Sequence, residues 1–331
     1  MEKTETTWPI FQGQAPDPER IKTLPPAPPW RRFNRAARQE RGSKYIPTGP
    51  EVEMVNAALY LRRPILVTGK PGAGKSSLAY AVAEELGLGD VLVWPITTRS
   101  TLEDGLYHYD AIARLQDASL VKSKDESESA EPQDVGRYIR LGPLGTAFLG
   151  RETKCPRVLL IDEIDKSDID LPNDLLHIFE EGEFEIPVLS RLPDDERFRL
   201  IKVFQHGEEK ERGEVERGWV RAKEFPFVVM TSNGEREFPP AFLRRCLRLD
   251  LKPPNPEKLA IIVRQRLDLG KDLPPVVQSL IDEFIDLRDT QGRELATDQL
   301  LNAVYMVMED IDVLARKDLR DVLLKSLTEM Q

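Results

Sequence analysis

Apolar residues along this chain fall into short continuous runs separated by stretches of helical periodicity, and that alternation predicts the elements. Between Glu51 and Leu61, Val52, Val55 and Leu59 recur at helical spacing, and Pro64 ends the helix. Ile65-Leu66-Val67 is a short apolar run, as expected of a parallel strand buried on both faces. A glycine-rich loop runs from Gly69 to Gly74. A helix over 76–86 follows, with Leu78, Val82 and Leu86 on one face and Gly87 as its stop. Val91 to Ile96 reads as a second strand. Strand, loop, helix and strand make a βαβ unit, so the fold class is α/β with a central parallel sheet.

Val158–Ile161 and Phe227–Met230 are two more core-strand runs. Residues 171–180 form a short helix with Leu175, Leu176 and Phe179 inward and Gly182 at its end. Phe184–Leu189 and Phe198–Phe204 pair as a β-hairpin in this reading. Leu247, Leu249 and Leu251 alternate with Arg248, Asp250 and Lys252, the pattern of a strand with one exposed face. After Pro253-Pro254 the texture changes to four helices, at about 256–268, 275–289, 295–310 and 316–329. The chain thus divides into a Pro-rich flexible arm (1–45), an α/β core (46–253, with an insert at about 105–140 and the hairpin at about 184–204) and a helical domain (254–331). The polar run 122–129 reads as a solvated loop. In the arm, Pro16, Pro18, Pro25, Pro26, Pro28 and Pro29 forbid long helix. Trp8 and the Trp30-Arg31-Arg32-Phe33 cluster are its sticky points, with Trp30 and Phe33 fit to dock on a partner or a neighbouring subunit.

Composition narrows the classes. With 47 Lys+Arg against 57 Asp+Glu in 331 residues, the net charge of −10 argues against an electrostatically driven nucleic-acid binder. The apolar runs are far short of the ~20 residues of a membrane span. The N-terminus lacks the apolar stretch of a secretory signal. Two cysteines make no disulfide framework, which points to the reducing cytoplasm, and three histidines leave little for a zinc site.

Four motifs carry chemistry. The first, Gly69-Lys70-Pro71-Gly72-Ala73-Gly74-Lys75-Ser76, matches G-x-x-x-x-G-K-[ST] in full, between a strand and a helix. Its glycines let backbone N–H groups curl around phosphates, and Lys75 reaches the β and γ phosphates. Ser76 ligates Mg²⁺, and the run Gly69–Ser77, with Ser77 just inside the helix, forms the candidate ATP-binding segment. In the second motif, Val158-Leu159-Leu160-Ile161-Asp162-Glu163, an apolar strand runs into two carboxylates at its carboxyl end. Asp162 suits Mg²⁺ through its water shell, and Glu163 suits a general base for the attacking water. The third ends the strand Phe227–Met230 in Thr231-Ser232-Asn233, where Asn233 can orient that water or sense the γ-phosphate. The fourth, Ala241-Phe242-Leu243-Arg244-Arg245, places two guanidinium groups at a helix end, suited to charge on γ-phosphoryl oxygens. The plain alternatives are a turn asparagine before Gly234 and surface arginines paired with nearby acids.

On these residues the chain resembles an AAA+ ATPase, and within that superfamily it is most similar to the MoxR group. Gly69–Ser76 resembles Walker A, Asp162-Glu163 Walker B, Asn233 sensor 1 and Arg244-Arg245 the arginine finger. The helices after Pro254 resemble the lid, and the likeness covers about residues 46–331. Gly142-Pro143-Leu144, the 105–140 insert and the hairpin before Asn233 are the MoxR-like cues. The resemblance implies a homo-oligomer, a hexameric ring with ATP between subunits, and Arg245, beside Cys246, or Arg244 supplied by the neighbour. It further implies that the lid moves against the core to remodel a protein client, with a partner carrying a von Willebrand factor A domain. The chain departs from the family pattern in two places. Glu294–Leu300 holds no sensor-2 arginine, leaving Arg293 as the nearest candidate. Tyr45-Ile46-Pro47-Thr48-Gly49 replaces the usual glycine motif, so adenine contacts are not assigned.

Two other classes use parts of the same set. A nucleic-acid motor or restriction-type NTPase of the same superfamily would use the arginines, but no basic, aromatic-interleaved stripe accompanies them. A small-molecule kinase would use Lys75 and Ser76 but has no role for Glu163. Tyr107-His108-Tyr109 and His177 read as packing residues, Glu180, Glu181, Glu183 and Glu185 as a solvated acidic edge, and Arg212, Arg217 and Arg221 as an exposed loop.

Overall fold

The computed structural model describes residues 8–32, 40–122, 132–151, 155–207 and 212–325. Phe33 and residues 123–129 of the polar run lie outside the described residues. In chain order the first elements are α1 (Gly49–Leu61), β1 (Ile65–Gly69), α2 (Lys75–Glu85), β2 (Leu92–Pro95), α3 (Leu102–Leu106), β3 (Tyr107–Tyr109) and α4 (Ala111–Lys122). Then come β4 (Ile139–Leu141), α5 (Pro143–Leu149), β5 (Val158–Asp162), α6 (Leu171–Glu181), β6 (Glu183–Glu185), α7 (Pro187–Ser190), β7 (Leu200–Phe204) and β8 (Arg212–Glu216). β9 (Trp219–Arg221), β10 (Phe227–Ser232), α8 (Pro240–Arg245) and β11 (Leu247–Leu251) precede four helices: α9 (Pro256–Arg266), α10 (Pro275–Ile285), α11 (Thr297–Met308) and α12 (Lys317–Leu323). Among the described residues no helix is long and apolar enough to cross a membrane.

The chain forms two compact units: Pro47–Gly69 with Lys75–Asp250, and residues 1–46 with Lys70–Gly74 and Leu251–Gln331. The first unit is built on a five-stranded sheet in the order β11-β1-β10-β5-β2. β1, β10, β5 and β2 are mutually parallel, and their registers bring Thr68 beside Ser232, Met230 beside Ile161 and Pro95 beside Asp162. The carboxyl ends of the central strands are therefore level. β10 is buried along its whole length and β5 in all but Asp162, which is why both read as unbroken apolar runs.

The second sheet has the order β3-β4-β7-β8-β9-β6. All seven residues of α5 are buried, and the helix packs against strands of both sheets. A Cβ on Gly145 would sit 2.0 Å from the Leu106 carbonyl oxygen, so only glycine allows that approach. The predicted hairpin is corrected here. β7 pairs with β8, not with 184–189, and β6 pairs with β9. Pro187 is the reason: it lacks a donor for a ladder and opens the turn of α7 instead. Arg212 and Arg221, read as loop residues, lie on β8 and β9, with Arg217 at the turn between them.

Two apolar faces differ from expectation. In α1 Val52 is exposed while Glu51 is buried, because the Glu51 carboxylate accepts the Thr48 N–H at 3.1 Å and caps the helix start. Leu86 lies beyond the end of α2 and is 48% exposed. The chain turns at Gly87, and Leu88 returns to the core in its place.

The second unit holds α9 to α12 around Leu259, Val263, Leu280, Phe284, Leu300 and Val304. Within its N-terminal portion, Trp30 and Pro26 are tied to α11. Trp30 Nε1 donates to Asn302 Oδ1 at 3.0 Å, its ring meets Tyr305 edge-on, and the Tyr305 hydroxyl donates to the Pro26 carbonyl. Trp30 thus docks on its own chain. An aromatic pair and a hydrogen bond together are worth about 2 kcal/mol. Trp30→Ala is expected to speed hydrogen exchange along α11 roughly tenfold or more. Unchanged exchange would show that the arm contributes nothing to this unit.

Candidate functional site

The site lies where β1, β10 and β5 end side by side and α2 begins. A strand buried on both faces holds polar side chains only at its rim, and here the rim carries Asp162, Glu163, Thr231 and Asn233. Lys75, the first residue of α2, is buried. Its Nζ donates to the Gly69 carbonyl at 2.6 Å and to Asn233 Oδ1 at 2.8 Å. Burial holds its ammonium below the ordinary lysine value, and Asp165, Asp162 and Glu163 pull it partly back.

Asp162 Oδ1 accepts two hydroxyls: Ser76 Oγ at 2.7 Å and Thr231 Oγ1 at 2.6 Å. Thr231 Oγ1 in turn accepts the Glu163 N–H at 2.9 Å. Glu163 stands in the left-handed region, with φ +62°, which costs a non-glycine residue about 1 kcal/mol. That backbone turns its side chain out of the strand direction into a 3₁₀ turn at Ile164–Lys166. Lys166 Nζ meets Glu163 Oε2 at 2.7 Å, and this hydrogen bond raises the Lys166 amine above its ordinary value. The structure therefore gathers Lys75, Ser76, Asp162, Glu163 and Asn233 into one cluster at the strand ends, hydrogen-bonded as two groups: Lys75 with Asn233, and Ser76, Asp162 and Glu163 through Thr231.

Lys70–Gly74 packs with the helical unit. Gly72 has φ +75°, and a Cβ there would lie 2.8 Å from both Ala296 Cβ and Thr297 N. Pro71 and Ala73 complete this loop, in which the Ala73 N–H bonds the Lys70 carbonyl. Lys70 Nζ lies 3.4 Å from Glu294. Ser77 follows on α2. Arg293, the sensor-2 candidate, donates its backbone N–H to the Leu287 carbonyl.

Arg244 and Arg245 are not part of the cluster; neither shares a hydrogen bond or ion pair with its members. Both are exposed at the end of α8. Arg245 pairs with Glu180 of α6, so Glu180 is an ion-pair partner and not simply a solvated edge. Arg63 donates to the Arg244 and Arg245 carbonyls and holds the helix end. Next to it Cys246 is buried, its thiol pushed up to about 12, which makes it inert as a nucleophile.

Sequence reasoning missed Thr231, Asp165, Lys166 and Arg236. The available signal was the spacing Glu163-x-x-Lys166, which one 3₁₀ turn brings to the same side. Asp165 is buried, and its Oδ2 accepts the N–H groups of Asn233 at 2.8 Å and Glu235 at 3.1 Å.

Oxygen donors at Ser76 and Asp162 fit a hard divalent cation that keeps most of its own water and phosphate ligands. Among the described residues no cluster of three His, Cys, Asp or Glu could hold a metal by itself.

A parallel sheet ending in this cluster, with a glycine-rich loop between β1 and α2, defines a P-loop nucleotide-binding core with a helical C-terminal region. Residues 64–246 match the AAA domain family, dynein-related subfamily, over more than half of the chain, and the chain belongs to that family. Curated proteins give no match. Among solved structures, NtrX from Brucella abortus in complex with ADP is 14% identical, with 81% of this chain and 49% of that chain covered and a TM-score of 0.34. NtrX in complex with ATP is 12% identical, with 82% and 55% covered and a TM-score of 0.37. This chain spans about half the length of those chains.

Thr231→Val keeps the shape but strips a donor and an acceptor from a buried position. It is expected to lower stability by about 2 kcal/mol, with Thr231→Ser within about 1 kcal/mol of wild type, in chemical unfolding. Equal stability of the valine variant would show that this hydroxyl is not holding Asp162 and Glu163.

Proposed function

We propose that this chain is a Mg²⁺-dependent AAA+ ATPase of the MoxR-like kind, working as a ring of identical subunits that remodels a protein partner. The observation that carries the reading is the gathering of Lys75, Ser76, Asp162, Glu163 and Asn233 at one set of strand ends, with Arg244 and Arg245 exposed outside it. A site with its own cation, metal ligands and base, but with its arginines facing solvent on another edge, is complete only when a second subunit brings an arginine to it.

In this mechanism the γ-phosphate of ATP replaces the Gly69 carbonyl and Asn233 as acceptor for Lys75. Phosphate charge then offsets the desolvation that depresses the Lys75 ammonium. Mg²⁺, held by Ser76 and through water by Asp162, would neutralise charge on the phosphate oxygens. Water attacks the γ-phosphorus, the bond to the β-γ bridging oxygen breaks, and ADP and phosphate leave. Glu163 takes the water proton; Lys166 holds one of its oxygens and leaves the other for the water. Asn233 orients water or phosphate. Arg245 of the neighbour, or Arg244, leaves its surface pair and meets the charge that spreads over the γ-phosphoryl oxygens. A client and a partner with a von Willebrand factor A domain would be engaged through the second sheet and the 105–140 insert.

The ATPase rate per subunit is expected to rise with protein concentration. Arg245→Ala should lose about 100-fold or more in kcat, with ATP affinity within about threefold. Glu163→Gln should bind ATP and turn it over at least about 100-fold more slowly. A flat rate together with dispensable arginines would place the whole active site in one chain and end the ring reading.

A further inference from the structure

The two loops that carry Glu163 and Asn233 leave different strands, β5 and β10, yet each grips the other. From the first loop, buried Asp165 accepts the backbone N–H groups of Asn233 and Glu235 on Oδ2, at 2.8 and 3.1 Å. From the second, Arg236 donates Nη1 to the Ser167 carbonyl at 2.8 Å and Nη2 to the Asp168 carbonyl at 3.2 Å and Ser167 Oγ at 3.3 Å. Ser167 is itself buried and donates its hydroxyl to the Ile164 and Asp168 carbonyls. The bonds run both ways, so neither loop can shift without breaking charge-assisted hydrogen bonds made by the other.

We infer that Asp165 and Arg236 form a clasp that fixes the position of Asn233 relative to Glu163, making both of them positioning residues for the hydrolytic step. The inference rests on the proposed function for its catalytic meaning, whereas the clasp itself rests on geometry alone.

The chemistry argues against mere packing. A buried carboxylate is costly, and a neutral residue would fill the same space more cheaply. Here the charge grips two amides that place the Asn233 side chain 2.8 Å from Lys75 Nζ. Among the carboxylates acting on Lys75, Asp165 has the largest effect. Arg236 is a planar fork spread over two successive carbonyls, a task a lysine could not repeat. It is part-exposed, so its replacement leaves the core intact. A displacement of about 1 Å between the water-activating and phosphate-sensing groups costs up to ~100-fold in rate.

The test is a double-mutant cycle with an independent readout. Arg236→Ala is expected to lower kcat roughly 10- to 100-fold, with nucleotide affinity within about threefold. In an Asn233→Ala background the same change should cost less than about twofold, because the group it positions is gone. Hydrogen exchange on the nucleotide-free protein reports the clasp directly. Arg236→Ala should speed exchange of the Lys166 and Ser167 amides about tenfold, and Asp165→Asn should do the same at Asn233 and Glu235. Exchange that changes only within the mutated loop, or an equal kcat loss in both backgrounds, overturns the inference. If the wild type hydrolyses no ATP, the proposed function falls, and the exchange measurement alone upholds or overturns the clasp.

Discussion

Asp162 Oδ1 is the atom on which the site depends. It accepts Ser76 from the helix that follows β1 and Thr231 from β10, while its own strand supplies Glu163 one residue later. One carboxylate oxygen thereby joins three strand ends. This is possible because β1, β10 and β5 are parallel and in register, so their last residues lie level.

The same rim concentrates charge. Asp162, Glu163 and Asp165 crowd around one buried ammonium, Lys75. The protein manages the excess with hydrogen bonds: two hydroxyls on Asp162, two amides on Asp165 and the Lys166 amine on Glu163. These partners fix directions as well as charges. Glu163 is held in a left-handed conformation that would be unfavourable without the Thr231 bond to its N–H, and that conformation aims its carboxylate. In the proposed mechanism a polyanionic substrate and its cation enter a site whose polar groups are already oriented, which is where electrostatic catalysis gains most.

The helical unit departs from the pattern its sequence resembles. At the start of α11, where a sensor-2 arginine would be expected, Ala296 and Thr297 stand against Gly72, and Lys70 pairs with Glu294. The phosphate-binding loop therefore shares a unit with α11 through close backbone packing and one exposed ion pair. The N-terminal portion joins the same unit because Trp30 has a ring, a donor and a neighbouring carbonyl matched to Tyr305 and Asn302. Proline-rich composition signals absence of helix; it does not signal absence of docking.

Much of this was legible in the chain. Unbroken apolar runs ending in polar residues located β1, β5 and β10 within two residues, since only strands buried on both faces have that pattern. The same boundaries placed Asp162, Glu163 and Asn233 at strand ends, and the glycine motif placed Lys75 and Ser76 at the start of α2. Sequence could not show that residues 183–185 pair with β9, because pairing partners depend on long-range register. Nor could it show that Glu51, not Val52, faces inward, since a capping hydrogen bond outweighed hydropathy there. Thr231, Asp165 and Arg236 gained their roles only when two loops 68 residues apart met, and local spacing holds no record of that meeting. Residue type and local period determined which groups this protein has and on which elements. Tertiary structure decided which of them touch, because hydrogen bonds between strand ends depend on sheet order and register.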